Sequence, residues 1–276
     1  MSKKETWRLL VTQPATGAWN MAVDEALLAA AVRGDSKPVI RLYSWQPACL
    51  SLGYAQRVRD VDLDLLKQNG WDLVRRVTGG RAILHTDEIT YSVLAPLTEP
   101  RVAGTVLESY QRIANALIVA VRRLGIPVEM VTDADTSASA AASKGPVCFE
   151  VPSAYELTVD GKKLIGSAQS RRKDGFLQHG AFPLHGDLRR ITHALVYSDE
   201  QERAQAGEKV LARAATAESV LGTRLDWDIA AKEMVSAFEN ALEIDLVPST
   251  LSGEEEAAVD SLVESKYANW DWTGRF

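Results

Sequence analysis

The sequence predicts an α+β fold. Three observations carry this. Strand-like and helix-like segments alternate along the first two thirds of the chain. One long amphipathic helix sits near the middle, and the chain is mostly helical from about residue 186 onward. The 276 residues suit one large domain or two small ones, and neither an internal repeat nor an obvious linker divides them, so 1–276 reads as a single domain. Apolar residues make up 46% and charged residues 25%, which excludes a disordered chain, a collagen and a coiled coil.

Each element has its own signal. Trp7–Thr12 reads as a strand, turned by Pro14 and Gly17. Residues 18–33 read as a helix with Met21, Glu25, Leu28 and Val32 on one stripe, broken by Gly34. Val39–Ser44 and Cys49–Tyr54 are β-rich around a Gln46-Pro47 turn, and Val61–Gln68 is a short helix closed by Asn69-Gly70. Trp71–Val77 and Ala82–His85 flank Thr78-Gly79-Gly80, and Glu88–Ala95 follows as a strand. Over 104–124, Val106, Tyr110, Ile113, Leu117, Val121 and Leu124 step by three or four, the strongest helical pattern in the chain; Gly125 and Pro127 end it, and Ile126–Val131 reads as a strand. The small, polar stretch 132–147 reads as a loop. Ala154–Val159 and Leu164–Gln169 form a hairpin around Asp160-Gly161, which puts Lys163 roughly opposite Thr158, and Phe176–Leu184 is a further strand. Ala230–Leu242 is helical, and Ser252 with Glu255 resembles a capping box.

Charge and cysteine content narrow the function. Lys plus Arg number 31 against 37 Asp plus Glu, a net charge of -6 with no basic block, so nucleic acid is a poor candidate partner. The longest apolar runs, Leu27–Val32 and Ala116–Val121, fall far short of the ~20 residues of a membrane span. No apolar stretch follows Lys3 and Lys4, so no secretory signal is expected and the cytoplasm is the expected compartment. Two cysteines make neither a disulfide framework nor a metal cage, and no cluster has metal-ligand spacing. There is no Walker loop, serine nucleophile elbow or dinucleotide fingerprint.

Four segments hold chemistry-bearing residues. In Arg75–His85 the Gly79-Gly80 pair lets backbone N–H groups approach an oxygen, with Arg76, Thr78 and Arg81 alongside; an ordinary hairpin with solvated arginines is the competing reading. Cys148 ends the 132–147 stretch and reads equally as a reactive thiol or as one with no role, whereas Cys49 sits in an apolar strand that suits an inert buried thiol. Lys163 alternates with Leu164 and so shares a face with Ile165, where partial burial would give its charge electrostatic weight; Gly166, Ser167 and Ala168 then leave room for a ligand. His85 and His179 either orient a substrate or brace the fold.

These residues resemble the biotin/lipoate protein ligase family. The Arg-Arg-x-Thr-Gly-Gly-Arg-Ala run at 75–82 with His85, the Gly-Lys-Lys-Leu-x-Gly-Ser-Ala-Gln run at 161–169 and Gln178-His179-Gly180 carry the resemblance. Asn20–Leu27 and Lys266-Tyr267 with Trp270 and Trp272 add to it. The resemblance implies mixed, largely antiparallel sheets flanked by helices. With a cysteine 15 residues before Lys163, it implies the octanoyltransferases of the Gram-positive type within that family. Octanoyl would then pass from acyl carrier protein to the glycine cleavage H protein or another lipoyl domain, without a cofactor, by a monomer. Cys148 would be the acyl-thioester nucleophile and Lys163 the residue that lowers its pKa. Arg76, Thr78, Gly79, Gly80, Arg81, His85, Gly166, Ser167, Ala168 and His179 would bind substrate.

Two departures count against the alternative, an ATP-dependent lipoate ligase. Gly79-Gly80-Arg81-Ala82 stands where those enzymes usually carry a third glycine, and the chain leaves no room for the accessory domain they commonly need. An octanoyl amidotransferase between lipoyl domains is a related alternative, and a non-catalytic acyl-binding module ranks last. Lowering a thiol from ~8.5 to about 7 takes roughly 2 kcal/mol, which one nearby ammonium can supply. Docking of an acidic carrier requires local positive charge, for which Arg75/Arg76/Arg81, Arg171/Arg172/Lys173 and Arg189/Arg190 are the candidates.

Overall fold

The computed structural model describes residues 4–130, 156–172 and 174–276. Cys148, Lys173 and the expected loop at 132–147 lie outside the described residues.

In chain order the elements are β1 (Glu5–Val11), α1 (Gly17–Arg33), β2 (Val39–Tyr43), β3 (Cys49–Leu52), α2 (Leu63–Gln68), β4 (Asp72–Arg75), β5 (Ile83–His85) and β6 (Glu88–Pro96). There follow α3 (Val106–Arg123), β7 (Glu129–Met130), β8 (Leu157–Val159), β9 (Lys162–Arg172) and β10 (Gly175–Pro183). A 3-10 segment at Leu188–Ala194 leads to α4 (Glu200–Arg213), α5 (Ala217–Leu221), α6 (Trp227–Ala241), β11 (Ile244–Pro248), α7 (Gly253–Leu262) and α8 (Trp270–Thr273). No described helix is long and apolar enough to cross a membrane.

Eight strands form one sheet in the order β11-β1-β2-β6-β10-β9-β8-β7. The β11-β1-β2 edge is parallel and the rest antiparallel, so the sheet is mixed but largely antiparallel. A second sheet of three strands has the order β4-β3-β5. Side-chain alternation on the large sheet feeds two cores. Ile40, Leu42, Tyr91 and Val93 face α3 and α6, while Val39, Tyr43 and Leu94 face α1 and α7. A third cluster joins the small sheet to Leu188–Ala194 and α4.

The helix starts follow elementary capping chemistry. Thr105 and Glu108 close a capping box on α3, and the Ser252–Glu255 box opens α7 as the sequence predicts. Gly34 ends α1 in the left-handed region, at φ 82°.

Four local expectations change. The Gln46-Pro47 segment does not join neighbouring strands, because β2 belongs to the large sheet and β3 to the small one. β4 and β5 are not a hairpin, because β3 lies between them. On α1 the most deeply buried face holds Asn20, Val23, Asp24, Leu27 and Ala31, while Glu25, Leu28 and Val32 are only half-buried. β11 breaks the otherwise helical C-terminal portion and pairs with β1.

Candidate active site

The Asp160-Gly161 turn sets Lys163 opposite Thr158, as the hairpin reading predicts. Leu157 then faces Ile165, so β9 carries one extra residue between the two pairs. This irregularity overturns the expectation that Lys163 shares a face with Ile165. Leu164 and Ile165 both enter the α3 core, while the lysine turns over Gly166. A β-carbon at Gly166 would stand 2.9 Å from Lys163 Cε and 3.3 Å from Nζ. The bare backbone is what leaves the ammonium room.

Lys163 is 5% exposed and its Nζ donates to Glu156 Oε1, on a carboxylate that is itself 4% exposed. A buried ammonium needs such a partner, since an isolated charge in this setting costs several kcal/mol. Glu156 was not among the residues singled out in the sequence. Its signal in the sequence is slight: a carboxylate just ahead of β8, two positions before Thr158, which faces the lysine.

Lys163 opens on a cleft of about 200 Å³ between the two sheets. Register explains its wall. Ala168 and His179 are opposed across β9 and β10, and Gly166, Ala181 and Thr90 are opposed across β9, β10 and β6 two residues further along. From the small sheet and its turn come Arg76, Gly80, Arg81, Ile83 and His85, with Tyr43 and Trp45 at one side. Of the predicted binding residues, Arg76, Gly80, Arg81, His85, Gly166, Ser167, Ala168 and His179 therefore meet Lys163 in one cleft. Thr78 lies behind it, and Gly79 opens on an adjoining surface.

Both histidines hold protein partners. His85 Nδ1 and Glu88 Oε1 are 2.6 Å apart, its Nε2 and Ser51 Oγ 2.7 Å, and its ring stacks on Trp45 with centroids 4.0 Å apart. His179 Nε2 bonds Thr78 Oγ1 at 2.7 Å, and its Nδ1 lies 3.7 Å from Asp24 Oδ2. Burial pushes the His179 imidazolium below its ordinary pKa, and the Asp24 carboxylate opposes that shift without cancelling it. In turn, Asp24 accepts from Arg41 Nη1 at 2.9 Å, Ser92 Oγ at 2.9 Å and Tyr43 OH at 3.2 Å. Despite full burial, His179 and Arg41 hold the Asp24 carboxyl below its usual range. Asp24 lies within the Asn20–Leu27 stretch that carries the resemblance, and Asn20 and Asp24 are one helical turn apart on the buried face of α1.

Two arginines at the glycine turn, Arg75 and Arg76, are buried rather than solvated. Arg76 donates through Nη1 to Ser51 O and Oγ, and through Nη2 to Gly79 O at 3.0 Å and Arg81 O at 3.1 Å, stapling the turn from beneath. Arg75 points elsewhere. It donates to the carbonyls of Gly53, Tyr54 and Gln56 on one side and of Trp272, Thr273 and Arg275 on the other. Neither guanidinium is available to a docking protein. Arg171 donates to the carbonyls of Val102, Gly104 and Thr105, and Arg189 and Arg190 pair with Asp187 and Asp87. Arg171, Arg189 and Arg190 are spoken for within the molecule, whereas Arg172 is exposed. Cys49 is fully buried and its thiol is pushed well up by burial, as expected of an inert cysteine.

Comparison with solved structures defines the class first. A bipartite lipoate protein ligase from Thermoplasma acidophilum superposes with a TM-score of 0.81 at 25% identity, covering 98% of this chain and 96% of that one. A lipoate-protein ligase A bound with ATP gives a TM-score of 0.77 at 24% identity, with 98% of each chain covered. The fold is that of the lipoate-protein ligases. More specifically, residues 16–239 match the lipoyl protein ligase A/B catalytic domain, and the chain belongs to that family. Its relatives include octanoyltransferase LipM of Moorella thermoacetica, 39% identical with 98% of each chain covered. LipM of Bacillus subtilis is 37% identical, again with 98% of each chain covered. LipM of Brevibacillus brevis is 36% identical over 98% of this chain and 99% of its own.

Proposed function

We propose that this chain is an octanoyltransferase of lipoate assembly that works through a covalent thioester on Cys148. The observation that carries the reading is the buried Lys163 ammonium beside bare backbone in a glycine-lined cleft, in a chain whose full-length relatives are octanoyltransferases. Octanoyl-acyl carrier protein is the donor. The H protein of glycine cleavage or another lipoyl domain is the acceptor; the Thermoplasma ligase was itself studied with an E2 lipoyl domain. Residues 1–276 act as one catalytic domain, a monomer in the cytoplasm.

The chemistry balances without ATP. The Cys148 thiol gives up a proton and its sulfur attacks the donor thioester carbonyl. A new C–S bond forms, the bond to the carrier's sulfur breaks, and the departing carrier thiolate takes up a proton. The acceptor lysine, as free amine, then attacks the enzyme thioester. A C–N bond forms, the bond to Cys148 breaks, and the proton lost by nitrogen restores the thiol. Lys163 stabilises the thiolate before and after each exchange. Gly80 and the Gly166–Ala168 strand flank the acyl group, whose burial contributes up to roughly 5 kcal/mol at ~0.8 kcal/mol per methylene. His85 and His179 act as braces, because their ring nitrogens are held by Glu88, Ser51, Thr78 and Asp24.

The test sets two donors against each other. Octanoyl carrier protein should support acceptor modification in the absence of ATP, and Cys148→Ala should stop it while leaving the unfolding midpoint unchanged. Transfer that requires ATP and free acid, and that survives Cys148→Ala, would replace this reading with an adenylating ligase.

A further inference from the structure

Beside the cleft lies an open shelf floored by Tyr54 and Gln56 and bordered by the Gly79-Gly80 turn. Gly80 and Arg81 line both, so the shelf continues the mouth of the cleft. Four arginines from three separate segments meet there: Arg57 and Arg59, Arg81, and Arg172. One carboxylate, Asp60, is also on the shelf. This concentration of positive charge sits on a chain whose net charge is -6.

Arg57 and Arg59 differ from the arginines at 189 and 190. Arg189 and Arg190 are matched by Asp187, Glu208 and Asp87. Arg57 and Arg59 are exposed and form no ion pair among the described residues. Arg172 lies over the Tyr54 ring, 4.2 Å from its centroid, and the Arg275 guanidinium lies 4.3 Å from it. Together these two arginines lower the Tyr54 hydroxyl below its ordinary pKa. The floor is also held in place. Arg75 ties the carbonyls of Gly53, Tyr54 and Gln56 to the C-terminal residues, and Val58 N donates to Phe276 O at 3.1 Å. A preorganised cationic surface with two exposed arginines, Arg57 and Arg59, next to exposed glycine backbone suits a phosphate ester.

We propose that this shelf, through Arg57 and Arg59, binds the phosphate of the acyl donor's phosphopantetheine arm while the thioester end enters the cleft. The inference rests on the octanoyl-transfer reading. An acyl carrier protein presents its thioester on a pantetheine arm tethered through a phosphodiester, so a donor seated in the cleft must lay that phosphate outside the mouth. The shelf is the surface that adjoins the mouth through Gly80 and Arg81. A nucleotide is the other source of a phosphate ester, and the test separates the two.

Octanoyl-4′-phosphopantetheine and octanoyl-pantetheine differ only in the phosphate. With the intact chain, the phosphorylated donor should show a KM about tenfold lower at similar kcat, and raising the salt should narrow that gap. The double variant Arg57→Ala/Arg59→Ala should lose most of the discrimination and leave the unphosphorylated donor unchanged; both positions are exposed, so the fold is not at risk. Equal effects on both donors would overturn the proposal. So would an effect confined to the carrier-borne donor, which would make the shelf a docking face for the carrier's own surface. Calorimetric titration with 4′-phosphopantetheine, pantetheine and ATP provides a readout independent of catalysis. Binding of ATP that depends on Arg57 and Arg59 and exceeds that of phosphopantetheine would assign the shelf to a nucleotide. If octanoyl-acyl carrier protein does not acylate the intact chain, the octanoyl-transfer reading falls; the titration still decides whether the arginines select a pantetheine phosphate.

Discussion

Among the buried ion pairs of the described residues, Arg41–Asp24 and Lys163–Glu156 are built for opposite ends. Arg41–Asp24 sits between α1 and the sheet, both side chains essentially sealed from solvent. Asp24 also accepts from Ser92 and Tyr43, and Arg41 Nη2 donates to Asn20 Oδ1 at 2.6 Å and Thr12 Oγ1 at 3.0 Å. Lys163–Glu156 is nearly as buried but borders the cleft, with glycine backbone against the ammonium. The comparison separates a charge held to fix structure from one held ready for a partner. A guanidinium spreads its donors over fixed acceptors, whereas an ammonium on a flexible stem can turn part of its charge toward a substrate or thiolate.

That contrast breaks most visibly at Lys163. Lys163→Met should lower octanoyl transfer by roughly 10²–10⁴-fold. It should also destabilise the chain by about 3–5 kcal/mol, because Glu156 is left buried and uncompensated. Adding Glu156→Gln should restore most of the unfolding midpoint and none of the rate. Recovery of both would make the pair structural, like its counterpart. Arg41→Met should cost a similar 3–5 kcal/mol in denaturant titration, while kcat per folded molecule changes little. A large loss of kcat in well-folded Arg41→Met would put the Asp24 network into the reaction.

Smaller changes sharpen the same distinction. Gly166→Ala introduces a methyl group 2.9 Å from Lys163 Cε and should displace the ammonium, lowering the rate by up to ~100-fold with about 1 kcal/mol of stability. An unaltered rate would show that the lysine's position is not critical. The least effect is expected from pH. Burial lowers the His179 pKa from its ordinary 6.5, so the unfolded chain binds the proton first as pH falls. The stability from His179 is fully present above 6.5 and is lost as pH drops from there toward the folded value. His179→Asn should flatten that part of the stability–pH curve, and an unchanged slope would assign it to other groups.

Much of this architecture was legible in the residues. The stripe along α3, the capping box at Ser252 and the Asp160-Gly161 hairpin are local patterns, and local patterns specify an element and its immediate neighbour. Partner choice over distance was not legible. β2 and β3 read as neighbours but enter different sheets, and β11 pairs with β1 from 239 residues away in sequence at the Glu5–Ile244 pair. The burial of Arg75 was hidden for the same reason, since its carbonyl acceptors arrive from 53–56 and 272–275. In the cleft, the glycines and Lys163 carried their signal in the sequence, whereas Glu156 and Asp24 gain meaning only once β8 and α1 are placed.

The account stands or falls on a covalent intermediate. After incubation with octanoyl-acyl carrier protein and no acceptor, intact-mass measurement should show one octanoyl increment. Peptide mapping should place it on Cys148, and a lipoyl-domain acceptor should discharge it. Turnover at full rate by a chain that never carries the increment would contradict the account.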